Sequence, residues 1–497
     1  MLVLLLLVTL GLRVVPLAQH RFHEDEALYS SWALLTREDP ALISAPVDKP
    51  LLHLYLLAGT FRLLGASEVS ARLPSLFASV ASVAILFALG RALWDEPTAL
   101  AAAALYAVSP FAILFSPTVF TDPLLVLWML LGLWAAVAGR PALAGVALGL
   151  AYATKQQLVM LAPLVIAMGV HARQTIRPIK QPYGRQALKA IGSFLLVFAG
   201  ATWWDSLRWH VQPGFWDRSL ASYGGLTLVP MGAWPARLRD WTELVGYVFA
   251  SPILNALLLT LFLGQACQAA LRCRAERSFG VDAILLTFVS LYLLLHFAVS
   301  FQTWDRYILP LVPLLCLLLA RGLRTLFTAA RARLDLARAA PNRSRGLRLA
   351  AIFLLVLLVR PAYVGATGRL PVGGDHGAYD GIDLLASEML NSLGPDATLY
   401  YHWLGWHFDY YLHGAAFLRV WYPDPATLAE EVSASPGGPS FICFPSWRSE
   451  VAVREALAQS GRALVAETFV YRPDGSQSFA LYLIDEAIAS PDRGDGT

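Results

Sequence analysis

The sequence predicts a polytopic α-helical membrane protein of about eleven spans followed by a C-terminal extracytoplasmic α/β domain. Three observations carry this. Of 497 residues, 57% are hydrophobic and only 15% are charged. The mean hydropathy is +0.54. Apolar runs of membrane-crossing length recur to about residue 365 and then stop. Such a composition excludes an ordinary soluble enzyme and outweighs the soft expectation of several globular domains that length alone would give.

The apolar runs, in order, are 1–18, 70–90, 98–116, 121–139, 141–153, 157–171, 190–205, 244–264, 281–300, 307–321 and 349–365. Met1 to Val15 is apolar from the first residue, with no basic start and no small-residue cleavage site, and reads as a retained first span. Loop charge sets the orientation. The 171–189 loop carries Arg173, Arg177, Lys180, Arg185 and Lys189 and no acid. The 271–278 loop carries Arg272, Arg274 and Arg277 against Glu276, and the 321–348 loop carries eight arginines against the single Asp335. All three fall on one side of the chain, which the positive-inside tendency makes cytoplasmic. The segments 19–69, 117–122, 206–243 and 301–306 then lie outside. This gives a transmembrane domain over 1–365, with outer loops at 19–69 and 206–243, and an extracytoplasmic domain over 366–497.

Beyond residue 365 the apolar stretches shorten to strand length: Thr398-Leu399-Tyr400-Tyr401, Phe417-Leu418-Arg419-Val420-Trp421 and Phe441-Ile442-Cys443-Phe444. Amphipathic helix patterns at Ile382 to Leu393 and Glu450 to Leu457 alternate with them, as in a small α/β domain.

Several function classes lack support. Cys267, Cys273, Cys316 and Cys443 show no pairing pattern and no CxxC spacing, so neither a disulfide framework nor a zinc ribbon is expected. No P-loop, GxGxxG or Ser-His-Asp arrangement occurs. The net charge of +3 is uninformative, and topology explains the basic loops better than a nucleic-acid partner does. His20, His23, His53 and His210 have no diagnostic spacing. No cofactor signature is present, and a divalent metal stays an open alternative.

The chemistry-bearing residues cluster at predicted outer span ends. Glu24, Asp25 and Glu26 are adjacent carboxylates, whose mutual repulsion favours a raised pKa on one of them, as a general base requires. The plainer reading is a helix start, where acids suit the macrodipole. Lys49, between Asp48 and Pro50, heads an apolar run against the positive-inside tendency. It is either a snorkelling anchor or a phosphate partner. Lys155, in Ala151-Tyr152-Ala153-Thr154-Lys155-Gln156-Gln157, poses the same question. With Arg72 and Arg306 these lysines make a cationic rim suited to an anionic ligand presented from the bilayer, although each arginine alone reads as an interfacial anchor. Asp122, before Pro123, is either an N-cap or a second active-site acid facing Asp25 across the outer vestibule. Trp209, Trp216, Trp234, Trp241, His210 and Tyr223 in the 206–243 loop are either an interfacial belt or a surface for stacking on a sugar.

Seven short motifs occur in order over roughly residues 20–315. Glu24-Asp25-Glu26-Ala27-Leu28-Tyr29 resembles the Asp-Glu-x-x-Tyr segment of GT-C glycosyltransferases, nearest the bacterial protein O-mannosyltransferase and aminoarabinose transferase group. Asp48-Lys49-Pro50-Leu51-Leu52-His53-Leu54-Tyr55 resembles that group's Lys-Pro-Pro-Leu-Tyr motif, with Leu51 in place of the second proline. Ser70-Ala71-Arg72-Leu73-Pro74-Ser75, Ser109-Pro110, Thr121-Asp122-Pro123-Leu124-Leu125, Gly149 to Lys155 and Asp305-Arg306-Tyr307-Ile308-Leu309-Pro310 are similar to further stations.

The resemblance implies an inverting transfer of a sugar from a polyprenyl-phosphate donor to an acceptor at the outer face of the membrane. Asp25 would be the base, with a shift of register giving that role to Glu26 or Glu24, and Asp122 a supporting acid. Lys49 would hold the lipid phosphate, with Lys155, Arg306, Arg72 and Tyr29 as weaker candidates. Leu28 stands where aminoarabinose transferases carry an arginine three residues after the acid, which argues against that particular activity. The acceptor is not identified by the sequence. Arginine-heavy composition without retention signals points to a bacterial inner membrane. The competing classes are a transporter or lipid flippase and a non-catalytic relative. Charges at span ends rather than at the midplane, and no visible repeat, favour the enzyme.

Overall fold

A computed structural model describes residues 1–176, 182–222, 227–276, 280–336, 343–434 and 437–486. Arg177, Lys180, Tyr223, Arg277 and Arg338 lie outside the described residues. The chain divides into two compact units: Met1–Gln19 with Trp32–Gly374, and His20–Ser31 with Asp375–Thr497.

The first unit is helical. Among the described residues, six of its helices are long and apolar enough to cross a membrane: Glu68–Leu93, Leu158–Ile176, Tyr183–Ser206, Pro252–Arg274, Val281–Ala298 and Asp305–Ala332. Shorter apolar helices are Leu2–Ala18, Leu51–Leu64, Asp122–Val137, Pro141–Tyr152 and Val356–Ala366. The protein is therefore an integral membrane protein. Two features depart from the sequence reading. Leu51–Leu64 is an apolar helix in what reads as an outer loop, where it was hidden by its shortness and by Pro50. The continuous run expected over 98–116 is divided at Ser109 into Glu96–Val108 and Pro110–Leu114. Pro110 forces this, because the residue before a proline is driven out of the helical region, and Ser109 sits at φ −62°, ψ 126°. The carbonyls exposed at the break are met by the fully buried Arg13, whose guanidinium donates to Ala107 O at 2.9 Å and Tyr106 O at 3.4 Å.

The second unit is a five-stranded sheet with helices on both faces. Its strands are β1 (Thr398–Tyr401), β2 (Leu418–Trp421), β3 (Ser440–Pro445), β4 (Arg462–Tyr471) and β5 (Gln477–Glu486), in the order β2-β1-β3-β5-β4. β1 runs parallel to β2 and β3, and β5 runs antiparallel to β3 and β4. Alternate residues face opposite ways. Leu399, Cys443, Phe479 and Leu481 join Ile382, Leu385, Met389 and Phe408 on one face. Tyr400, Ile442, Phe444 and Tyr482 join Leu428, Val453 and Leu457 on the other. The first three strands and the helices Ile382–Ser392 and Val451–Gln459 fall where the hydrophobic pattern puts them. The β4–β5 hairpin was not legible in that pattern, and a register irregularity between Ala466 and Thr468 interrupts its alternation.

Residues 20–31 are tied into this unit by polar bonds. The Asp380 carboxylate accepts the Arg21 amide at 2.9 Å and meets His20 Nδ1 at 3.0 Å. Arg21 reaches Asp383 at 3.3 Å, and His407 Nε2 meets Phe22 O at 2.9 Å.

Candidate active site

In the first unit, two chain turns bring the predicted lysines to one cavity. Pro50 opens the helix Leu51–Leu64, so Lys49 stands immediately before its first turn. The turn over residues 153–157 ends the helix Pro141–Tyr152 and precedes Leu158–His171, and it carries Lys155. The two turns are joined by backbone and side-chain bonds. Leu52 N donates to Ala153 O at 2.8 Å, and Gln156 Nε2 donates to Asp48 O at 2.8 Å.

Arg306 comes from a third direction, the turn Asp305–Tyr307. Asp305 fixes that turn, accepting the Arg306 amide on Oδ1 and the Gly373 amide on Oδ2, each at 2.7 Å. The guanidinium of Arg306 lies 4.2 Å from the centroid of Trp304 and 5.3 Å from that of Phe120. Such contacts hold its orientation.

The resulting cavity has a volume of about 220 Å³, and Lys49, Lys155 and Arg306 all line it. Its remaining wall is mostly aromatic and amide: Trp216, His296, Trp304, Tyr307, Gln156 and Gln157. Lys155 Nζ donates to Asp122 Oδ1 at 2.7 Å and lies 5.5 Å from the Tyr307 ring. In its turn between two spans, burial pushes the Lys155 ammonium down to about 8, against the upward pull of Asp122. Asp122 is the first residue of the helix Asp122–Val137, and Thr121 rather than Asp122 occupies the cap position. The carboxylate therefore serves a buried ion pair instead of capping. Its Oδ2 is buried and has no hydrogen-bond partner among the described residues.

The other candidates are placed differently. Arg72 is buried, donates to Leu17 O at 2.9 Å and is not among the cavity's lining residues. Of the outer-loop aromatics, Trp216 lines the cavity. Trp209 donates to Asp205 at 2.9 Å, and Trp234 and Trp241 pack on Phe297 and His296 at 5.7 and 5.9 Å.

Glu24, Asp25, Glu26 and Tyr29 belong to the second unit. The three acids form the first turn of the helix Glu24–Leu35, where they suit the macrodipole. Glu26 is buried and its carboxylate accepts the His23 amide at 3.0 Å, a reciprocal start resembling a capping box. The Asp25 amide donates to His23 Nδ1 at 3.1 Å. Glu24 accepts from the Tyr379 hydroxyl, and Tyr29 is buried. Asp375 lies in the same unit, and its buried Oδ2 has no hydrogen-bond partner among the described residues. Burial, with Glu26 adding repulsion, raises its carboxyl to about 6 against the opposing pull of His23.

The sequence reading missed Gln157, Tyr292, His296 and Tyr307 as members of the site. Gln157 donates to the Tyr292 hydroxyl, which donates to Tyr307 O at 2.9 Å. Gln157 and Tyr307 fall next to Lys155 and Arg306 and were findable from that adjacency. His296 and Tyr292 sit inside an apolar span with no local signal. Among the described residues, no group of three or more His, Cys, Asp or Glu side chains is arranged to hold a metal ion.

Residues 48–204 match the family described as dolichyl-phosphate-mannose-protein mannosyltransferase. The solved structure of ArnT from Cupriavidus metallidurans bound to undecaprenyl phosphate superposes with a TM-score of 0.62 at 17% identity, over 98% of both chains. The chain shares the fold of that structure. The apo oligosaccharyltransferase of Archaeoglobus fulgidus shares it with a TM-score of 0.56 at 13% identity, over 96% of this chain and 74% of that one. An undecaprenyl phosphate-alpha-4-amino-4-deoxy-L-arabinose arabinosyl transferase of Pseudomonas aeruginosa is 28% identical over 236 residues, 41% of this chain. The chain spans only 42% of that relative's length in the match.

Proposed function

We propose that this GT-C protein is an inverting glycosyltransferase that moves a sugar from a polyprenyl-phosphate donor to an acceptor at the outer face of a bacterial inner membrane. The observation that carries the reading is the convergence of Lys49, Lys155 and Arg306 on one aromatic-walled cavity. Lys49 pairs with Asp48 at 2.5 Å and Lys155 with Asp122 at 2.7 Å, and with Arg306 they suit a donor phosphodiester that carries one negative charge and gains a second as polyprenyl phosphate leaves. Trp216, Trp304 and Tyr307 offer flat apolar faces for a sugar ring or a prenyl unit. The name of the Pseudomonas relative and the ligand of the Cupriavidus structure, undecaprenyl phosphate, fit a donor of this chemical class.

In the proposed reaction Asp25 takes the proton of the acceptor nucleophile, with Glu26 the alternative base. The nucleophile attacks the anomeric carbon, the bond to the phosphate oxygen breaks, and polyprenyl phosphate leaves. One displacement inverts the anomeric centre. Charge builds on the departing phosphate, and Lys49 and Arg306 stabilise it there, which is the contribution that accelerates a step rather than merely binding substrate. Lys155 is half-committed to Asp122, so its role is to hold the phosphate and the Asp122 helix start in one register. Arg72 and Tyr29 are weaker contributors in this proposal. The arrangement of 1–365 as about eleven spans, with 366–497 extracytoplasmic, belongs to the same reading.

The deciding experiment offers purified protein a panel of radiolabelled polyprenyl-phosphate sugars, with and without chelator, beside Asp25→Asn and Lys49→Ala. Sugar release lost in Asp25→Asn, with donor binding weakened in Lys49→Ala, supports the proposal. The chelator arm reads any metal requirement, and the active donor names the sugar. Absence of binding to every donor sinks the reading in favour of transport.

A further inference from the structure

One wall of the donor cavity is a stretch of chain with almost no ladder of its own. The helix Val281–Ala298 stops at Val299, whose φ −93°, ψ 148° is extended. Apart from an isolated bridge between Val299 and Leu228, residues 299–304 run without regular structure to the turn Asp305–Tyr307. Yet this stretch and its two ends give the cavity His296, Phe301, Trp304, Arg306 and Tyr307. Its backbone oxygens need partners from elsewhere, and those partners set where the wall stands.

The last four carbonyls of a helix lack partners in the next turn, and here each is accounted for. Leu295 O accepts the Val299 amide and Ala298 O the Val229 amide, both at 2.9 Å. The other two accept from one side chain: Arg237 donates to His296 O at 2.5 Å and to Phe297 O at 2.9 Å. The same guanidinium continues past the helix end to Val299 O at 2.7 Å, Phe301 O at 2.6 Å and Thr303 Oγ1 at 3.4 Å. Five oxygens spread over residues 296–303 thus share a single clip.

Arg237 comes from the helix Trp234–Gly246, which Trp234 and Trp241 already dock against this helix end. It does not line the cavity itself. Its neighbour Asp240 meets Arg239 at 3.3 Å instead, so the oxygens that Arg237 serves are uncharged. A cation suits the negative end of a helix. The fork of a guanidinium also reaches oxygens that a lysine, with three donors on one atom, cannot span. The effect is passed on through rings. Thr303 adjoins Trp304, which stacks on Arg306 at 4.2 Å, and His296 lies 5.1 Å from the Tyr307 ring.

We propose that Arg237 is a positioning residue for the donor phosphate: it clips the backbone of 296–303 in place and, through Trp304, sets where Arg306 stands. The role rests on the glycosyl-transfer reading given above.

The test titrates the full-length protein in detergent with a labelled polyprenyl phosphate, below the unfolding midpoint of every variant used. Arg237→Ala should weaken binding about tenfold, and Arg237→Lys, which keeps the charge but not the fork, about threefold. Placed on Arg306→Ala, either substitution should cost little more, because the group that it positions is gone. A loss that disappears with Arg306 is a signature that a merely structural role does not give. Should Arg237→Ala fail to fold, Arg237→Lys carries the same comparison alone. Full affinity in either variant overturns the proposal, and so does strict additivity with Arg306→Ala. Failure of the unsubstituted protein to bind any polyprenyl phosphate sinks the donor reading itself, and this role with it, before a variant is made.

Discussion

Lys155 and Asp122 form a 2.7 Å ion pair in which the side chains are 9% and 1% exposed, thirty-three positions apart in sequence. The pair joins the turn after Pro141–Tyr152 to the start of Asp122–Val137. Removing one partner of a buried pair strands the other charge, at a cost of about 3–5 kcal/mol, while replacing both with neutral groups is often tolerated. Asp122→Asn and Lys155→Gln should therefore each lower the unfolding midpoint in detergent markedly. The double variant should recover part of that loss. Strict additivity of the two singles would show that the pair does not hold the site together.

The second unit gives a pH signature. Asp375 has its carboxyl raised to about 6, chiefly by burial, from an ordinary 3.8. Between those values the folded protein keeps a proton that the unfolded chain has lost, so stability contributed by this group falls as pH rises through about 4 to 6. Asp375→Asn should flatten that slope and protect residues 376–386 by roughly 1–3 kcal/mol at pH 7. Amide hydrogen exchange at several pH values checks this. Equal slopes in both proteins would place the carboxylate in a better-solvated setting.

Two helices of the first unit approach closely at a glycine. A Cβ at Gly145 would lie 2.0 Å from Ala190 O, whereas at Gly264 nothing lies within 4 Å. Gly145→Ala must push Pro141–Tyr152 away from Tyr183–Ser206, at a cost of roughly 1–3 kcal/mol or more. Gly264→Ala should be neutral or slightly stabilising, because alanine is the better helix former. Thermal unfolding of the two variants side by side separates these outcomes.

What could be read in advance follows a physical rule. A charge beside an apolar run is costly, so Lys49, Lys155, Asp122 and Arg306 stood out, and three of them line one cavity while the fourth pairs with Lys155. Arg72 stood out for the same reason and meets a backbone carbonyl instead. Tyr292 and His296 left no trace because the strongly apolar run Val281–Ala298 around them outweighs two polar rings. The division at Ser109 was marked by Pro110 but read as part of one span, because hydropathy averages over a proline. Asp122 was open to reading as a cap. Only its pairing with Lys155 shows otherwise, and sequence spacing carries no information about that contact.

The Arg306 guanidinium stacks on Trp304 at 4.2 Å and faces Phe120 at 5.3 Å, so a planar, weakly hydrated cation is held there by two rings. Lysine carries the same charge but is a strongly hydrated point cation that cannot stack in this way. If Arg306 binds the donor phosphate, Arg306→Lys should weaken polyprenyl-phosphate affinity by the value of the lost stacking, about 0.5–2 kcal/mol. Trp304→Ala should weaken it comparably, because it frees the same side chain. Adding Trp304→Ala to Arg306→Lys should then cost little more, since the contact is already gone. Titration of the four proteins with a labelled polyprenyl phosphate decides the matter. Full affinity in Arg306→Lys would reduce the residue to a simple charge, and full affinity in Arg306→Ala would remove it from the donor site.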